Sequence, residues 1–146
     1  MSGYRGSALF ALPLDQRGDL TDTDKIAWTF PRDTPYVPSA LLYDDRLYFT
    51  KENNGILTCL EASTGKVVFG PQRMPEIAST YASPVAAAGR IYITSRDGTT
   101  LVIRHADKYE VLATNILKDP IDASPAIVGK DIFLRGQKHL YCFREE

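Results

Sequence analysis

Three segments of the chain read as copies of one another, and this repetition limits the fold more than any single motif does. Pro38-Ser39-Ala40, Ser83-Pro84-Val85 and Ser124-Pro125-Ala126 each open a unit, so Ser39, Ser83 and Ser124 fall 44 and 41 residues apart. An apolar–aromatic–apolar run follows each serine: Leu47-Tyr48-Phe49, Ile91-Tyr92-Ile93 and Ile132-Phe133-Leu134. A third run aligns as Leu57-Thr58-Cys59-Leu60, Leu101-Val102-Ile103-Arg104 and Leu140-Tyr141-Cys142-Phe143, if the last unit has a loop two residues shorter. A fourth run is present in the first two units, at Lys66 to Phe69 and Tyr109 to Thr114.

The runs are short, β-branched or aromatic, and broken by turn residues such as Asp44-Asp45, Asn54-Gly55 and Asp97-Gly98. Helical periodicity is absent, so the chain is predicted to be all-β. Four antiparallel strands per ~40–45 residues is the blade period of a β-propeller. Leucine-rich repeats are shorter, helical repeats need helices, and a sandwich leaves the aligned serines and aromatics unexplained. Two further strands are predicted ahead of the first unit, at 7–14 and at 24–30 around Trp28. The expectation is one partial propeller domain over residues 1–146. It has a leading half blade at 7–30, blades at 37–70 and 82–114, and a three-stranded last blade at 123–144.

About three blades do not close a ring that usually needs ~4–8. An open arc leaves apolar blade faces in water, and such faces mark association. The chain is therefore expected to close a ring by homo-oligomerisation, with a dimer favoured, or to be completed by missing blades of a longer chain. In the first case the Trp28 strand of another copy would complete the blade that runs from Ser124 to Phe143. That scheme leaves the strand at 7–14 without a place.

The units resemble blades of the PQQ-like (pyrroloquinoline-quinone-type) repeat propellers. The residues that carry the resemblance are the Ser-Pro openings, Gly89-Arg90-Ile91-Tyr92-Ile93, and Leu60-Glu61-Ala62-Ser63-Thr64-Gly65-Lys66-Val67-Val68-Phe69. The last stretch follows the pattern L-D-A-x-T-G-K-x-x-W with Phe69 in place of Trp, and Ile26-Ala27-Trp28 keeps the Trp. The resemblance implies a propeller fold and scaffolds for protein contacts, often outside the cytoplasm. It also raises the alternative of a quinoprotein oxidoreductase fragment whose cofactor site lies on missing blades. Enzymes of that kind hold the quinone over a Trp floor, beside an adjacent Cys-Cys pair, with calcium on Glu, Asn and Asp. Here there is one Trp, and Cys59 and Cys142 are far apart, so no cofactor and no metal is expected.

Composition narrows the partners. Seventeen Lys+Arg against eighteen Asp+Glu give a net charge of -1, which supplies no bulk attraction to nucleic acid. No run reaches the ~18 apolar residues of a membrane helix, and the first six residues lack a signal-peptide core. The compartment stays open between this reading and the extracytoplasmic parent that the resemblance implies.

Most chemical candidates have structural explanations. Cys59 and Cys142 fall at equivalent third-strand positions, with Ile103 between them, and read as small apolar residues packed between blades. His105 and His139 share no ligand spacing and read as loop histidines, so no catalytic residue is assigned. The repeated serines are expected to bond backbone where inner strands crowd the axis. One face is more informative. The loops entering the first strands and the ends of the second strands crowd together there, gathering Tyr36, Tyr81, Arg96, Asp122 and Arg135. Tyr and Arg on such a face suit a protein or carbohydrate ligand.

Overall fold

The computed structural model describes residues 8–20, 23–51 and 54–144. Among these the protein is all-β and contains no helix. Thirteen strands form four antiparallel sheets, taken in chain order as blades I to IV. Blade I is a pair, β1 (Leu9–Ala11) and β2 (Trp28–Phe30). Blade II holds β3 (Leu41–Tyr43), β4 (Arg46–Lys51), β5 (Ile56–Glu61) and β6 (Val67–Arg73). Blade III holds β7 (Val85–Ala87), β8 (Arg90–Thr94), β9 (Thr99–Arg104) and β10 (Val111–Ile116). Blade IV holds β11 (Ala126–Val128), β12 (Asp131–Arg135) and β13 (Leu140–Arg144).

Each sheet runs through its strands in sequence order; short turns join the strands of blades II to IV, whereas a long connection separates β1 from β2. The first strands β3, β7 and β11 lie beside one another, so the blades fan out from a common inner edge. β1 is shorter than the predicted strand because Pro13, which has no N–H for a ladder, follows it closely. Ser7, at the predicted start of that strand, lies outside the described residues, as do Glu52 and Asn53 in the first β4–β5 hairpin.

Side-chain alternation sends successive residues to opposite faces, and both faces of blade II meet a neighbouring blade. Leu9 and Phe30 of blade I pack on Phe49 and Leu60 of blade II. Tyr48, Leu57 and Cys59 on the other face of blade II pack on Ile91, Ile93, Leu101 and Ile103 of blade III.

The strand register corrects one detail of the sequence alignment. Thr50 pairs with Leu57, Thr94 with Thr100, and Arg135 with Leu140. The hairpin after the second strand thus loses one residue at each successive blade. Tyr48, Tyr92 and Phe133 pair with Cys59, Val102 and Cys142, so the blade III residue equivalent to the two cysteines is Val102, not Ile103. Ile103 points the other way, into the blade II interface.

Cys59 is buried in that interface, whereas Cys142 is exposed, and neither forms a disulfide. The expectation of a packed residue holds for Cys59 alone. Cys142 has the equivalent place on blade IV, but no blade covers it among the described residues.

Candidate functional site

The axial serines behave as the repeat implied. Ser39 N–H donates to Ser83 Oγ at 2.9 Å, and Ser83 N–H donates to Ser124 Oγ at 2.9 Å. Each bond crosses from one blade to the next.

Around this inner edge, the loop that enters each blade is tied to hairpins of the blades it joins. Arg96 N–H donates to Ser79 O (2.8 Å), and Ile121 N–H donates to Arg96 O (3.2 Å). Residue 96 is therefore held by the loop before blade III and by the loop after it. Its side chain is fixed as well. The guanidinium carbon lies 3.9 Å from the centroid of the Tyr81 ring, and Nε donates to Asp122 Oδ1 at 2.7 Å. The Asp122 bond raises the guanidinium pKa further.

Three of the five predicted face residues, Tyr81, Arg96 and Asp122, thus form one stacked and paired group. Tyr36 is exposed on the loop before β3, and Arg135 is exposed at the end of β12, each a blade away. The pair of Arg96 and Asp122 is more than two-fifths exposed, so it is worth little as a stabiliser. What it offers is a guanidinium whose orientation is already set, over an aromatic face.

Sequence reasoning missed Asp119. It is 1% exposed and lies under the β12–β13 hairpin. Its carboxylate accepts from Lys138 N–H (3.1 Å), His139 N–H (3.0 Å) and the Tyr141 hydroxyl (3.2 Å), and lies 3.3 Å from His139 Nδ1. Desolvation pushes its pKa up, but the two backbone N–H groups, the His139 ring and the Tyr141 hydroxyl outweigh it and hold the carboxyl below its ordinary value. Gly136 makes this possible, because a Cβ there would collide with the carboxylate. A signal was available: Asp33 stands at a similar distance ahead of Ser39 and pairs with Lys51 of the next hairpin at 2.7 Å.

A second unforeseen group joins blades II and III. The Tyr48 hydroxyl lies 2.9 Å from His105 Nδ1, and His105 Nε2 lies 3.5 Å from Asp44 Oδ2. Burial raises the Tyr48 pKa well above its ordinary value and pushes Cys59 up to about 11, although the Tyr48 hydrogen bond favours the thiolate. A thiol and a phenol held protonated in this way pack and donate. They are poor nucleophiles at neutral pH.

The described residues do not fit the quinone and calcium set of the oxidoreductases. Trp28 is engaged elsewhere, its Nε1 donating to Ala62 O at 2.9 Å with the ring against Gly65. Cys59 and Cys142 sit on different sheets, and no group of three His, Cys, Asp or Glu able to hold a metal ion occurs among the described residues.

No protein-family model matches the chain, and no curated protein matches it. Solved structures do. BamB from Moraxella catarrhalis superposes with a TM-score of 0.71 at 20% identity, over 96% of this chain and 41% of that one. The computationally designed Ika4 protein gives 0.64 at 9% identity, over 84% of this chain and 74% of that one. A europium-containing methanol dehydrogenase gives 0.54 at 12% identity, over 72% of this chain and 22% of that one. These likenesses show the fold, blades of a β-propeller. The chain spans about two fifths of the length of the BamB structure.

Proposed function

We propose that the chain is a noncatalytic propeller arc that serves as an assembly scaffold, its open end at blade IV covered by a further blade, in the first instance from a second copy of the chain. One observation carries this reading. On blade IV, Phe133, Leu140 and Cys142 repeat the register by which Tyr48, Leu57 and Cys59 of blade II pack on blade III. On blade II those side chains are buried, whereas Leu140 is 65% exposed. A face built to meet a blade meets none among the described residues, and burying apolar area of this kind drives association. The Tyr81, Arg96 and Asp122 group lies on the same arc and would face a protein or carbohydrate partner of the completed assembly. An extracytoplasmic setting belongs to this reading through the family resemblance.

A different supplier is favoured by the register of β1. Trp28 pairs with Ala11 and Phe30 with Leu9, much as Phe69 pairs with Cys59 in blade II. β1 therefore occupies a third-strand place, and blade I has no first or second strand among the described residues. A second copy's β2 could join β13 only after leaving β1. In this second reading, blades of a longer chain complete both ends.

Light scattering on the purified chain at micromolar concentration separates the two. A mass of at least twice the 16.2 kDa monomer is expected for self-closure. A monomer that binds an apolar dye overturns self-closure and supports the longer chain. A monomer that binds no dye and unfolds cooperatively overturns the scaffold reading itself. Addition of pyrroloquinoline quinone with calcium is expected to leave the melting temperature unchanged, and a rise would overturn the noncatalytic assignment.

A further inference from the structure

Residue 96 is held more firmly than an exposed rim residue needs to be. Its N–H is bound to Ser79 O and its carbonyl accepts from Ile121 N–H, so the loops before and after blade III clamp its backbone. The Ser95 hydroxyl donates to the same Ser79 O at 3.1 Å. The guanidinium lies on the Tyr81 ring, and Nε is bound to Asp122 Oδ1. These constraints add little to stability where they stand, because the ion pair is open to water.

The repeat does not require these residues. Val37 stands two places before Ser39, as Tyr81 does before Ser83 and Asp122 before Ser124. Gln137 has the place of Arg96 on the next blade, its N–H bound to Pro120 O as that of Arg96 is bound to Ser79 O. An aromatic ring, a guanidinium and a carboxylate therefore come together at one junction of the arc, on a scaffold that accepts other side chains at each place.

The polar atoms that the group fixes are uncommitted. Among the described residues, Nη1 and Nη2 of Arg96 make no hydrogen bond, and the Asp122 carboxylate is bound through Oδ1 alone. Two amino groups that donate thus stand beside a carboxylate oxygen, Oδ2, that accepts.

The pair is neutral as a whole, and this decides the ligand chemistry. An anion drawn to the guanidinium meets the Asp122 carboxylate, and a cation drawn to Oδ2 meets the guanidinium. A neutral group that accepts and donates from adjacent atoms escapes both penalties. Vicinal hydroxyls of a sugar ring do this, and hydrogen bonds to charged partners are the stronger kind. The Arg96 and Asp122 side chains are 43% and 44% exposed, a shallow setting that suits one terminal sugar ring rather than an enclosed ligand.

We propose that Arg96 and Asp122 bind the vicinal hydroxyls of a neutral sugar, Arg96 donating to one oxygen and Asp122 accepting from the neighbouring hydroxyl, with Tyr81 holding the guanidinium in place. This inference rests on the reading that the group faces a partner, and it names that partner as neutral carbohydrate.

The test follows the amide and Arg Nε–H resonances of the full, nitrogen-labelled chain while methyl α-mannoside and methyl β-glucoside are added in turn. At least one glycoside is expected to move the Tyr81, Arg96 and Asp122 signals saturably in the millimolar range, equally at low and at high salt. Arg96→Lys keeps the charge and loses the fork, and Asp122→Asn keeps the shape and loses the carboxylate. Each should weaken binding at least tenfold while the amide spectrum stays that of the folded chain. No saturable shift with either glycoside up to molar concentration, or wild-type affinity in both variants, overturns the site. Tighter binding of acetate that fades with added salt overturns the sugar in favour of a carboxylate-bearing peptide. Tighter binding of acetamide overturns it in favour of an Asn or Gln side chain. Each of these results leaves ring closure, which light scattering reads, standing. A monomer that binds the glycoside removes self-closure and supports the sugar site.

Discussion

The indole of Trp28 lies so close to Gly65 that a Cβ at position 65 would fall 2.6 Å from the ring carbon Cδ2. Residue 28 belongs to blade I and residue 65 to the β5–β6 turn of blade II, so the contact joins two blades. It is reinforced by the Trp28 Nε1 hydrogen bond to Ala62 O. Gly65 also has φ +72°, a region that L side chains rarely adopt. Gly65→Ala is therefore expected to destabilise the fold by about 1–3 kcal/mol. Urea unfolding measures the loss, and the emission of this single Trp should move to longer wavelength in the native state. If collision is the cause, Trp28→Ala combined with Gly65→Ala will cost less than the sum of the two.

Ser83 both accepts from Ser39 and donates toward Ser124, so Ser83→Ala leaves the Ser39 N–H without its partner. A loss of about 1 kcal/mol is expected, the net worth of one such bond. Calorimetry reads it as a fall in melting temperature of about 2–8 °C. A variant that melts with the wild type would remove the hydroxyl bonds from the account of how blades are joined.

Asp119 makes stability depend on pH in a defined direction. Its folded pKa lies below the ordinary value, so the unfolded chain takes up the proton first as pH falls. The contribution is complete above the unfolded value of about 4 and is lost as pH drops through the lower folded value. Asp119→Asn lowers the melting temperature at pH 7, because an amide nitrogen cannot accept from Tyr141 or His139. The gap between wild type and variant should close below about pH 4. A gap of constant size down to pH 2 would mean that the carboxylate charge is not what holds the β12–β13 hairpin.

The two thiols should differ in reactivity. Cys59 is fully buried and its pKa is pushed up to about 11 by desolvation, whereas Cys142 is exposed on β13. An aromatic disulfide reagent is expected to modify one thiol per chain rapidly, and Cys142→Ser should abolish that fast phase. The Cys59 thiol should react only on global unfolding, so its rate in rising urea reports the opening of blades II and III.

The strands were legible because a repeated unit states its pattern several times. Leu47-Tyr48-Phe49 alone is ambiguous, but with Ile91-Tyr92-Ile93 and Ile132-Phe133-Leu134 it marks the second strand of a blade. The grouping of Tyr81, Arg96 and Asp122 followed from the same alignment, since loops at equivalent places converge on one face. Cross-blade side-chain pairs were not legible. The contacts of Tyr48 with His105 and of Trp28 with Gly65 depend on stagger and tilt between sheets, which strand periodicity does not encode. The place of Val102 was misjudged because a one-residue change in a hairpin turns every following side chain to the other face. Asp119 escaped notice because its partners are mainly backbone N–H groups, which any sequence supplies.

The bonds among Ser39, Ser83 and Ser124 all point the same way along the chain. Ser39 keeps a hydroxyl able to receive, and Ser124 keeps an N–H able to give. The arc therefore has a polarity, like a row of couplings with a hook at one end and an eye at the other. Tandem gene duplication of whole units would preserve that match at every new junction, while any arrangement that set two copies tail against tail would bring like couplings together.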